Sequence, residues 1–238
     1  MRIFVTAGNT QTPIDRVRCI TNIFTGRTGA SIALEAYRRG HHVTLATSHP
    51  ETILETGLDP VRWQCRKYRT FDDLESIMAQ QISREAPEVV VHCAAVSDYR
   101  VAGAFAPVAE TAFDESTLHW TGPGEMRNRS AGKLKSDEPE LWLRLVRAPK
   151  LVDKIRTDWA YRGILVKFKL EVGLAPEALQ TIAEESRLQS QADWMVANTL
   201  EGASTWALIG AASGYVRVSR GQLASELFDA IEGKAQRG

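Results

Sequence analysis

Residues 6–29 of the chain read T-A-G-N-T-Q-T-P-I-D-R-V-R-C-I-T-N-I-F-T-G-R-T-G, and this stretch decides the fold. It follows the apolar run I-F-V at 3–5 and leads into a segment with helical periodicity, so its glycines lie where a strand turns into a helix. Gly8, Gly26 and Gly29 have no β-carbon, and the start of a helix presents backbone N–H groups to anions. The stretch therefore predicts a phosphate-binding turn.

The turn differs from the two common phosphate fingerprints, since it spells neither G-x-G-x-x-G nor G-x-x-x-x-G-K-[ST]. A dinucleotide site would also place an acidic residue for NAD, or an arginine for NADP, at the end of the second strand. That strand ends in A-T-S-H at 46–49. An NAD(P)-dependent reductase is therefore a disfavoured alternative.

Apolar runs alternate with amphipathic segments along the chain, which predicts an α/β fold with a Rossmann-like, doubly wound, mostly parallel sheet. The predicted strands are 2–6, 42–47, 88–94, 141–145, 164–169 and 194–197, and the predicted helices are 28–39, 71–85, 149–159 and 176–189. Near the end, 205–209 and 215–219 flank a five-residue turn, which predicts a C-terminal hairpin before a short helix at 222–231. We expect one domain, 1–238.

Residues 101–136 are rich in glycine and proline and lack sustained periodicity, which predicts a long flap or dimerisation segment. This flap contains G-K-L-K at 132–135. Side chains alternate along an extended segment, so Lys133 and Lys135 would lie on the same side, where both could face a polyphosphate. A solvated basic loop is the alternative.

The composition favours small-molecule partners. Lysine plus arginine equals aspartate plus glutamate at 29 each in 238 residues, so there is no bulk positive field for nucleic acid or anionic lipid. No apolar run is long enough to span a membrane, and no leader pattern is present, so we expect a cytoplasmic protein. The three cysteines are widely spaced, which predicts reduced thiols and no metal-ligand pair.

Two polar residues are placed for chemistry. Asp98 follows the third strand, where a doubly wound sheet binds ligands, and its carboxylate could accept ribose hydroxyls or hold Mg²⁺; a turn cap is the alternative. Asn22 could hold a carbonyl oxygen, or it could be a turn residue. His92 and the pair His41-His42 lack partners at a telling spacing, and we expect them to be structural.

An ordered set of motifs points to a family. The motifs are G-N-T at 8–10, P-I-D at 13–15, V-R at 17–18, N at 22, G-R-T-G at 26–29, A-A-V-S-D-Y at 94–99, K-L-K at 133–135, V-K-F-K-L-E at 166–171 and M-V-A-N at 195–198. With these motifs the sequence resembles the phosphopantothenoylcysteine synthetase family from Met1 to about Ser219. The resemblance implies a Rossmann-like dimer that joins 4′-phosphopantothenate to cysteine. A nucleoside triphosphate would activate the carboxylate as an acyl-nucleotide, with Mg²⁺ present.

The resemblance also implies roles for single residues. Asn22 and Lys133 would be catalytic, the first handling the acyl-nucleotide and the second stabilising charge during attack on the α-phosphate. The nucleotide would be bound by Gly8, Ala94, Ala95, Asp98, Phe168 and Asn198. The substrate would be bound by Thr25, Gly26 and Gly29.

The co-substrate and the form of the enzyme are finer expectations. The lysines that CTP-using members carry after F-x-x-E have no counterpart here, since 183–191 contains only Arg187, and F-K-L-E, D-W-A and V-A-N-T-L-E resemble the eukaryotic-type branch that uses ATP. We therefore favour ATP over CTP. The chain begins directly at the first synthetase strand, so we expect a free-standing form, and the resemblance implies a homodimer. Asn9 stands where a second glycine is usual, so a non-catalytic or divergent nucleotide-binding homologue acting on another carboxylate is an alternative.

Overall fold

The computed structural model describes residues 1–235, which divide into two compact units. The first unit contains residues 1–10, 23–96 and the chain from Lys150 onward. The second contains residues 11–22 and 97–149. The expectation of one domain over 1–238 stays a prediction, and its last three residues lie outside the described chain.

Strands and helices both occur along residues 1–235, with strands the more numerous. The strands are β1 Arg2–Ala7, β2 Gln11–Pro13, β3 Cys19–Thr21, β4 His42–Thr47, β5 Trp63–Lys67, β6 Val89–His92, β7 Tyr99–Pro107, β8 Ala112–Asp114, β9 His119–Thr121, β10 Met126–Asn128, β11 Trp142–Arg147, β12 Ile164–Glu171, β13 Trp194–Thr199, β14 Trp206–Ala211 and β15 Gly214–Ser219. The α-helices are α1 Arg27–Arg38, α2 Phe71–Gln80, α3 Leu151–Thr157, α4 Pro176–Gln189 and α5 Leu223–Ala235.

The first unit is built on an eight-stranded sheet with the order β15-β14-β13-β12-β6-β1-β4-β5. Six neighbouring strands pair in parallel, in the order β13, β12, β6, β1, β4 and β5. The strands β14 and β15 form an antiparallel hairpin at the edge, beside β13. The chain runs outward through β4 and β5, returns to β6 beside β1, and then continues in the other direction. The predicted Rossmann-like, mostly parallel sheet with a C-terminal hairpin is confirmed.

Both faces of this sheet are covered because successive side chains point in opposite directions. Val196 packs into the core shared with α1 and α5. Its neighbours Met195 and Ala197 pack against Leu179 and Ala183 of α4. Full burial of a side chain as large as those of Val196, Met195 and Leu179 stabilises the fold by about 1.5–3 kcal/mol each.

The helix ends follow ordinary capping chemistry. Thr70 and Asp73 form a capping box at the start of α2, each side chain accepting from the other's backbone N–H. Gly40 has φ +88° just after α1, where a residue without a β-carbon is favoured. Arg39 then pairs with Glu35 and with Asp229 and Glu232 of α5, which joins the two helices.

The second unit contains a three-stranded sheet with the order β10-β7-β11 and two small hairpins, β2-β3 and β8-β9. Ala104 and Ala106 of β7 are buried. Phe113, Trp120 and Trp142 form an aromatic cluster with ring centroids 5.3, 5.0 and 4.7 Å apart. This unit thus has its own packed side chains.

Several local details differ from the predictions. The segment 101–136 has more regular structure than its sequence indicates, since it contains β8, β9, β10 and most of β7, and three-residue strands separated by turns leave no periodicity to read. Its role as a flap or dimerisation segment stays a prediction. The strand predicted at 141–145 is β11, which pairs with β7 and not with the main sheet. The helix expected to run to Glu85 is α-helical only to Gln80 and continues as a π-helical turn over Gln81–Glu85.

Three strands and one turn also differ from expectation. β5 was missed because four of its five side chains are exposed at the sheet edge, and β2 and β3 were missed because each has three residues. The turn between β14 and β15 holds only Ala212 and Ser213, whereas a five-residue turn was predicted.

Candidate active site

The carboxyl ends of β1 and β6 lie side by side at the point where the strand order reverses. Open α/β sheets bind ligands at such a switch point. Beyond the strands the two chain segments stay joined, because Asn9 bridges Ala95 and the Ala95 N–H donates to the Gly8 carbonyl at 2.8 Å. The predicted nucleotide residues Gly8, Ala94 and Ala95 therefore lie at one place.

Gly8, Gly26 and Gly29 meet around this point, and we call these three residues the glycine cradle. A β-carbon on Gly26, which has φ +79°, would stand 2.3 Å from the Gly8 nitrogen. One on Gly29 would stand 2.6 Å from the Ala7 β-carbon, and one on Gly8 would stand 2.2 Å from Ser48 Oγ. The three glycines thus serve a tight turn, a close backbone approach and helix–strand packing, the roles of the dinucleotide fingerprint, although residues 9–25 separate the first from the other two.

Asn9 stands where a second glycine is usual, and the structure accounts for it. Its N–H donates to Ser48 Oγ at 2.9 Å, and Ser48 Oγ donates to Asn9 Oδ1 at 3.1 Å. The Asn9 side chain is thereby tied to the end of β4. Ser48 also occupies the place where an NAD site would carry an acid, which weighs against a nicotinamide cofactor.

The amino end of α1 is suited to an anion. Gly26 is the N-cap, no side chain caps the helix, and its first turn holds no acidic residue. The first N–H groups of a helix and its dipole favour negative charge at this end. Thr25, predicted to bind substrate, is exposed just before this cap.

Arg220, which the sequence analysis missed, places a side-chain cation at this helix end. Its Nη2 donates to Thr28 Oγ1, and the guanidinium lies close to Cys93. Partial burial lowers its pKa, and no carboxylate within the described chain pairs with it. Arg27, Thr28, Ser31 and Arg220 line a cavity of about 220 Å³. Only the tertiary structure reveals this cavity, because β15 brings Arg220 back to α1.

The remaining nucleotide candidates of the first unit lie on β12 and β13. Phe168 is half-buried and packs against the core on the α1 side, and Asn198 lies opposite Leu170 in the parallel register. Both are near the carboxyl ends of their strands, at the same edge as the glycine cradle. That edge is where a doubly wound sheet holds its ligand.

His92 and Lys167 are buried neighbours on β6 and β12, and their contacts are structural. Thr6 Oγ1 lies 2.9 Å from His92 Nδ1, and burial together with the nearby Lys167 charge lowers the pKa of His92 to about 4. Lys167 Nζ donates to the Ser186 carbonyl at 2.9 Å and to Ser190 Oγ, and burial lowers its pKa to about 8.

The second unit carries Asn22, Asp98 and Lys133. Asn22 follows β3 and is half-buried, whereas Asp98 precedes β7 and has an exposed carboxylate. Lys133 lies in residues 132–135, which we call the lysine segment. Lys133 and Lys135 are exposed and flank the buried Leu134, which is the burial pattern of an alternating segment. That both lysines face a polyphosphate stays a prediction.

The two lysines line one cavity of about 210 Å³ in the second unit. Arg129, which also lines it, is paired with Asp137 at 3.1 Å and Glu138 at 2.7 Å. Within residues 1–235, neither Lys133 nor Lys135 has an acidic partner. Their ammonium groups are therefore available to a ligand.

Two further observations concern membrane-spanning helices and metal-binding side chains. No helix within residues 1–235 has the length and apolar character that a membrane crossing requires. In the same part of the chain, no three His, Cys, Asp or Glu side chains form a metal-binding group.

Comparison with known proteins identifies relatives of this chain. Residues 1–115 match the family described as the DNA/pantothenate metabolism flavoprotein C-terminal domain. The coenzyme A biosynthesis bifunctional protein CoaBC of Thermococcus kodakarensis is 31% identical over 239 residues, covering 97% of this chain and 51% of the relative. CoaBC of Escherichia coli is 27% identical over 198 residues, covering 83% and 41%. The chain thus spans about half the length of these relatives.

Two solved structures are similar in fold to this chain. The DNA/pantothenate metabolism flavoprotein of Streptococcus pneumoniae superposes with a TM-score of 0.80 at 26% identity, over 98% of this chain and 99% of that one. A Cab2 mutant in complex with phosphopantothenate-cysteine has a TM-score of 0.66 at 16% identity, over 99% and 86%, and shares the fold. The resemblance predicted from the motifs is confirmed, since the chain is similar to coenzyme A biosynthesis proteins over nearly its whole length. The homodimer, the cytoplasmic location and the roles of single residues stay predictions.

Proposed function

We propose that this protein is a ligase that joins 4′-phosphopantothenate to cysteine in coenzyme A biosynthesis. The similarity of 97% of the chain to a coenzyme A biosynthesis protein carries the proposal. The glycine cradle at the switch point supports it, because it offers uncapped backbone N–H groups to a phosphate.

The reaction has two steps. The phosphopantothenate carboxylate attacks the α-phosphorus of a nucleoside triphosphate, so that a carboxyl oxygen bonds to phosphorus and pyrophosphate leaves. The cysteine amine then attacks the acyl carbon, an amide forms, and the nucleoside monophosphate leaves with release of the amine proton. A carboxylate is ionised at neutral pH, so the first step needs positioning and charge neutralisation rather than a base.

In the first unit, backbone groups provide most of the positioning and of the binding of phosphate. The backbone at Gly8, Gly26 and Gly29 lies close to the phosphates, whose oxygens accept from N–H groups at the uncapped start of α1, and Thr25 assists in binding the phosphopantothenate. Arg220 neutralises phosphate charge at the amino end of α1. The nucleotide is surrounded by Ala94, Ala95, Phe168 and Asn198.

In the second unit, two side chains contribute to the reaction. Lys133 stabilises the charge that develops as the carboxylate attacks the α-phosphate, and Asn22 hydrogen-bonds the acyl-nucleotide. Removal of one such preorganised donor typically costs about 2.7–4 kcal/mol of transition-state stabilisation.

Mg²⁺ enters with the nucleotide as part of the substrate. Magnesium in such sites keeps water and phosphate oxygens and takes only one or two protein carboxylates. Asp98 fits this requirement, since its carboxylate is exposed and no hydrogen-bond partner holds it in the described chain. The ion would neutralise phosphate charge there.

We favour ATP over CTP as the co-substrate. Arg187 is the single basic residue of α4, and it is paired with Glu184 at 2.8 and 2.7 Å and donates to the Ala192 carbonyl at 2.8 Å. The helix therefore offers no free cation of the kind that CTP-using members carry at this place.

One assay tests the function. The purified protein is supplied with Mg²⁺, cysteine and either ATP or CTP, with and without phosphopantothenate, and pyrophosphate and product mass are measured. We expect phosphopantothenoylcysteine, faster with ATP, and pyrophosphate release that requires phosphopantothenate. Equal nucleotide consumption without phosphopantothenate contradicts the proposal.

A further inference from the structure

A turn in the second unit holds the lysine segment in place. The turn, residues 15–18, joins β2 to β3 and has exposed Arg16 and Val17 at its tip. The Asp15 side chain is 0% accessible to solvent, although it belongs to this exposed turn. A carboxylate so completely covered on a surface turn requires hydrogen-bond donors around it.

The donors come from two parts of the chain, one next to Asp15 in the turn and the other 119 positions away in sequence. Asp15 Oδ1 accepts the backbone N–H groups of Val17 and Arg18, each at 2.8 Å, which closes the turn. Asp15 Oδ2 accepts the N–H of Leu134 at 2.9 Å. One oxygen thus holds the turn, and the other holds the residue that follows Lys133.

Further contacts join the same two segments. The Arg16 N–H donates to the Gly132 carbonyl at 3.1 Å, and Arg18 Nη2 donates to the Leu134 carbonyl at 3.1 Å. The Leu134 side chain is only 4% exposed. The backbone on both sides of Lys133 is therefore fixed, while the Lys133 side chain remains exposed.

The charge of Asp15 strengthens this arrangement. Hydrogen bonds from Leu134, Val17 and Arg18, with the Arg18 guanidinium 3.4 Å away, hold the pKa of Asp15 below its usual range. The group is ionised at neutral pH, and hydrogen bonds to an ionised acceptor are about twice as strong as neutral ones. A neutral amide at this position would hold Leu134 less firmly.

We propose that Asp15 is a positioning residue, whose carboxylate fixes the lysine segment to the 15–18 turn and so holds Lys133 in place for the reaction. This inference rests on the proposed function of Lys133. Asp15 itself touches no reacting atom. A displacement of about 1 Å in a catalytic group can lower turnover roughly 10²-fold, which sets the size of the expected effect.

A double-mutant cycle tests the link between the two residues. Asp15→Ala, Lys133→Ala and the double variant are compared by pyrophosphate release. We expect Asp15→Ala to lower kcat roughly 10²-fold with little change in the KM for cysteine. In the Lys133→Ala background it should lower kcat less than about twofold, because its effect passes through Lys133. Additive losses overturn the proposal.

A second measurement does not depend on activity. Hydrogen exchange of the Leu134 amide, followed by NMR, should be fast in Asp15→Ala and slow in the wild type. Asp114→Ala is the matched control, since Asp114 also accepts N–H groups in a turn of this unit but contacts no part of the lysine segment; it should leave both kcat and Leu134 exchange unchanged. Unchanged Leu134 exchange in Asp15→Ala overturns the proposal. A wild type that makes no phosphopantothenoylcysteine refutes the proposed function, while the exchange result still decides whether the contact exists.

The folding of the second unit is checked by near-ultraviolet circular dichroism of the cluster of Phe113, Trp120 and Trp142. If Asp15→Ala loses this signal, Asp15→Asn replaces it, because an amide keeps one oxygen acceptor. The Asn variant should give intermediate Leu134 exchange and a roughly tenfold loss of kcat. Wild-type behaviour of a folded Asn variant in both measurements overturns the requirement for a charged carboxylate.

Discussion

The glycine cradle and the lysine segment are both candidate anion sites, yet they are built in opposite ways. In the cradle the absence of side chains matters, since a β-carbon on Gly26 would stand 2.3 Å from the Gly8 nitrogen. In the lysine segment two exposed ammonium groups flank a buried leucine. The cradle is made of backbone packed against backbone, whereas the lysine segment carries exposed side chains on a backbone that hydrogen bonds hold in place.

Because the two sites are built differently, we expect variants of the cradle and variants of the lysine segment to change different measured quantities. A change in the cradle disturbs the packing of α1 on β1, so it should alter folding and ligand binding together. A change at an exposed lysine leaves the packing intact, so it should alter only turnover. The following variants test that separation.

The largest expected effect is on turnover. Lys133→Ala should lower kcat roughly 10²–10³-fold, because it removes a cation from the developing charge of the transition state. The free energy of unfolding should stay unchanged, since the side chain is exposed. Steady-state pyrophosphate release and urea denaturation measure the two quantities. Lys135→Ala, on the same cavity, should lose less than about tenfold; a Lys133→Ala variant with near wild-type kcat would break the comparison.

Gly26→Ala should lower the free energy of unfolding, which Lys133→Ala leaves unchanged. Backbone strain at φ +79° and the close approach to Gly8 together lower the free energy of unfolding by about 3 kcal/mol, with loss of phosphopantothenate binding. Gly40→Ala is the matched control, because Gly40 has φ +88° but no atom within 4 Å of a built β-carbon, so it should cost about 1 kcal/mol. Urea denaturation distinguishes them. Equal losses would mean that strain alone, without the packing of the cradle, explains the glycine.

Lowering the pH should reduce the free energy of unfolding of the first unit, because the buried His92 does not bind a proton readily in the folded state. The unfolded histidine binds a proton below pH 6.5, whereas burial keeps its folded pKa at about 4. The free energy of unfolding should therefore fall by up to about 3 kcal/mol as pH drops from 6.5 to 4, at 1.36 kcal/mol per unit. His92→Gln should flatten this part of the profile, measured by denaturation across pH. A variant profile parallel to the wild type would show that other groups cause the loss.

The smallest effect should come from Arg220, the side-chain cation beside Thr28. Arg220→Ala should raise the KM for phosphopantothenate about tenfold, which corresponds to the lower end of the roughly 1.5–3 kcal/mol that one charge-assisted hydrogen bond contributes, with kcat within about threefold of wild type. Arg217→Ala on β15 is the control, because that guanidinium lies over the Trp206 ring, 4.6 Å from its centroid. An unchanged KM in Arg220→Ala would mean that backbone groups alone hold the phosphates.

The elements that the sequence predicted well are those with a long, regular burial pattern. β4 was predicted at its observed bounds, and the predicted α1 is within one residue of them, because alternation, helical spacing and Gly40 mark them locally. The three-residue strands of the second unit were missed. Their sheet also depends on partners that are distant in sequence, as in the pairing of β7 with β11.

The candidate site was predicted in the same uneven way. Gly8, Gly26 and Gly29 could be chosen from their positions between a strand and a helix. Arg220 could not, because it comes next to Thr28 only through a contact between residues 192 positions apart. The Asp15 contact to Leu134 spans 119 positions and was equally hidden.

By itself, the sequence determined the α/β class, the glycine turn after β1 and the alternation of Lys133, Leu134 and Lys135, since each follows from backbone geometry over a few neighbouring residues. Only the tertiary structure decided that the glycines pack against one another, that Ser48 holds Asn9, and that Asp15 fixes the lysine segment. The physical reason is that local periodicity records which face of an element is buried, whereas a hydrogen bond between distant residues depends on where the whole chain folds.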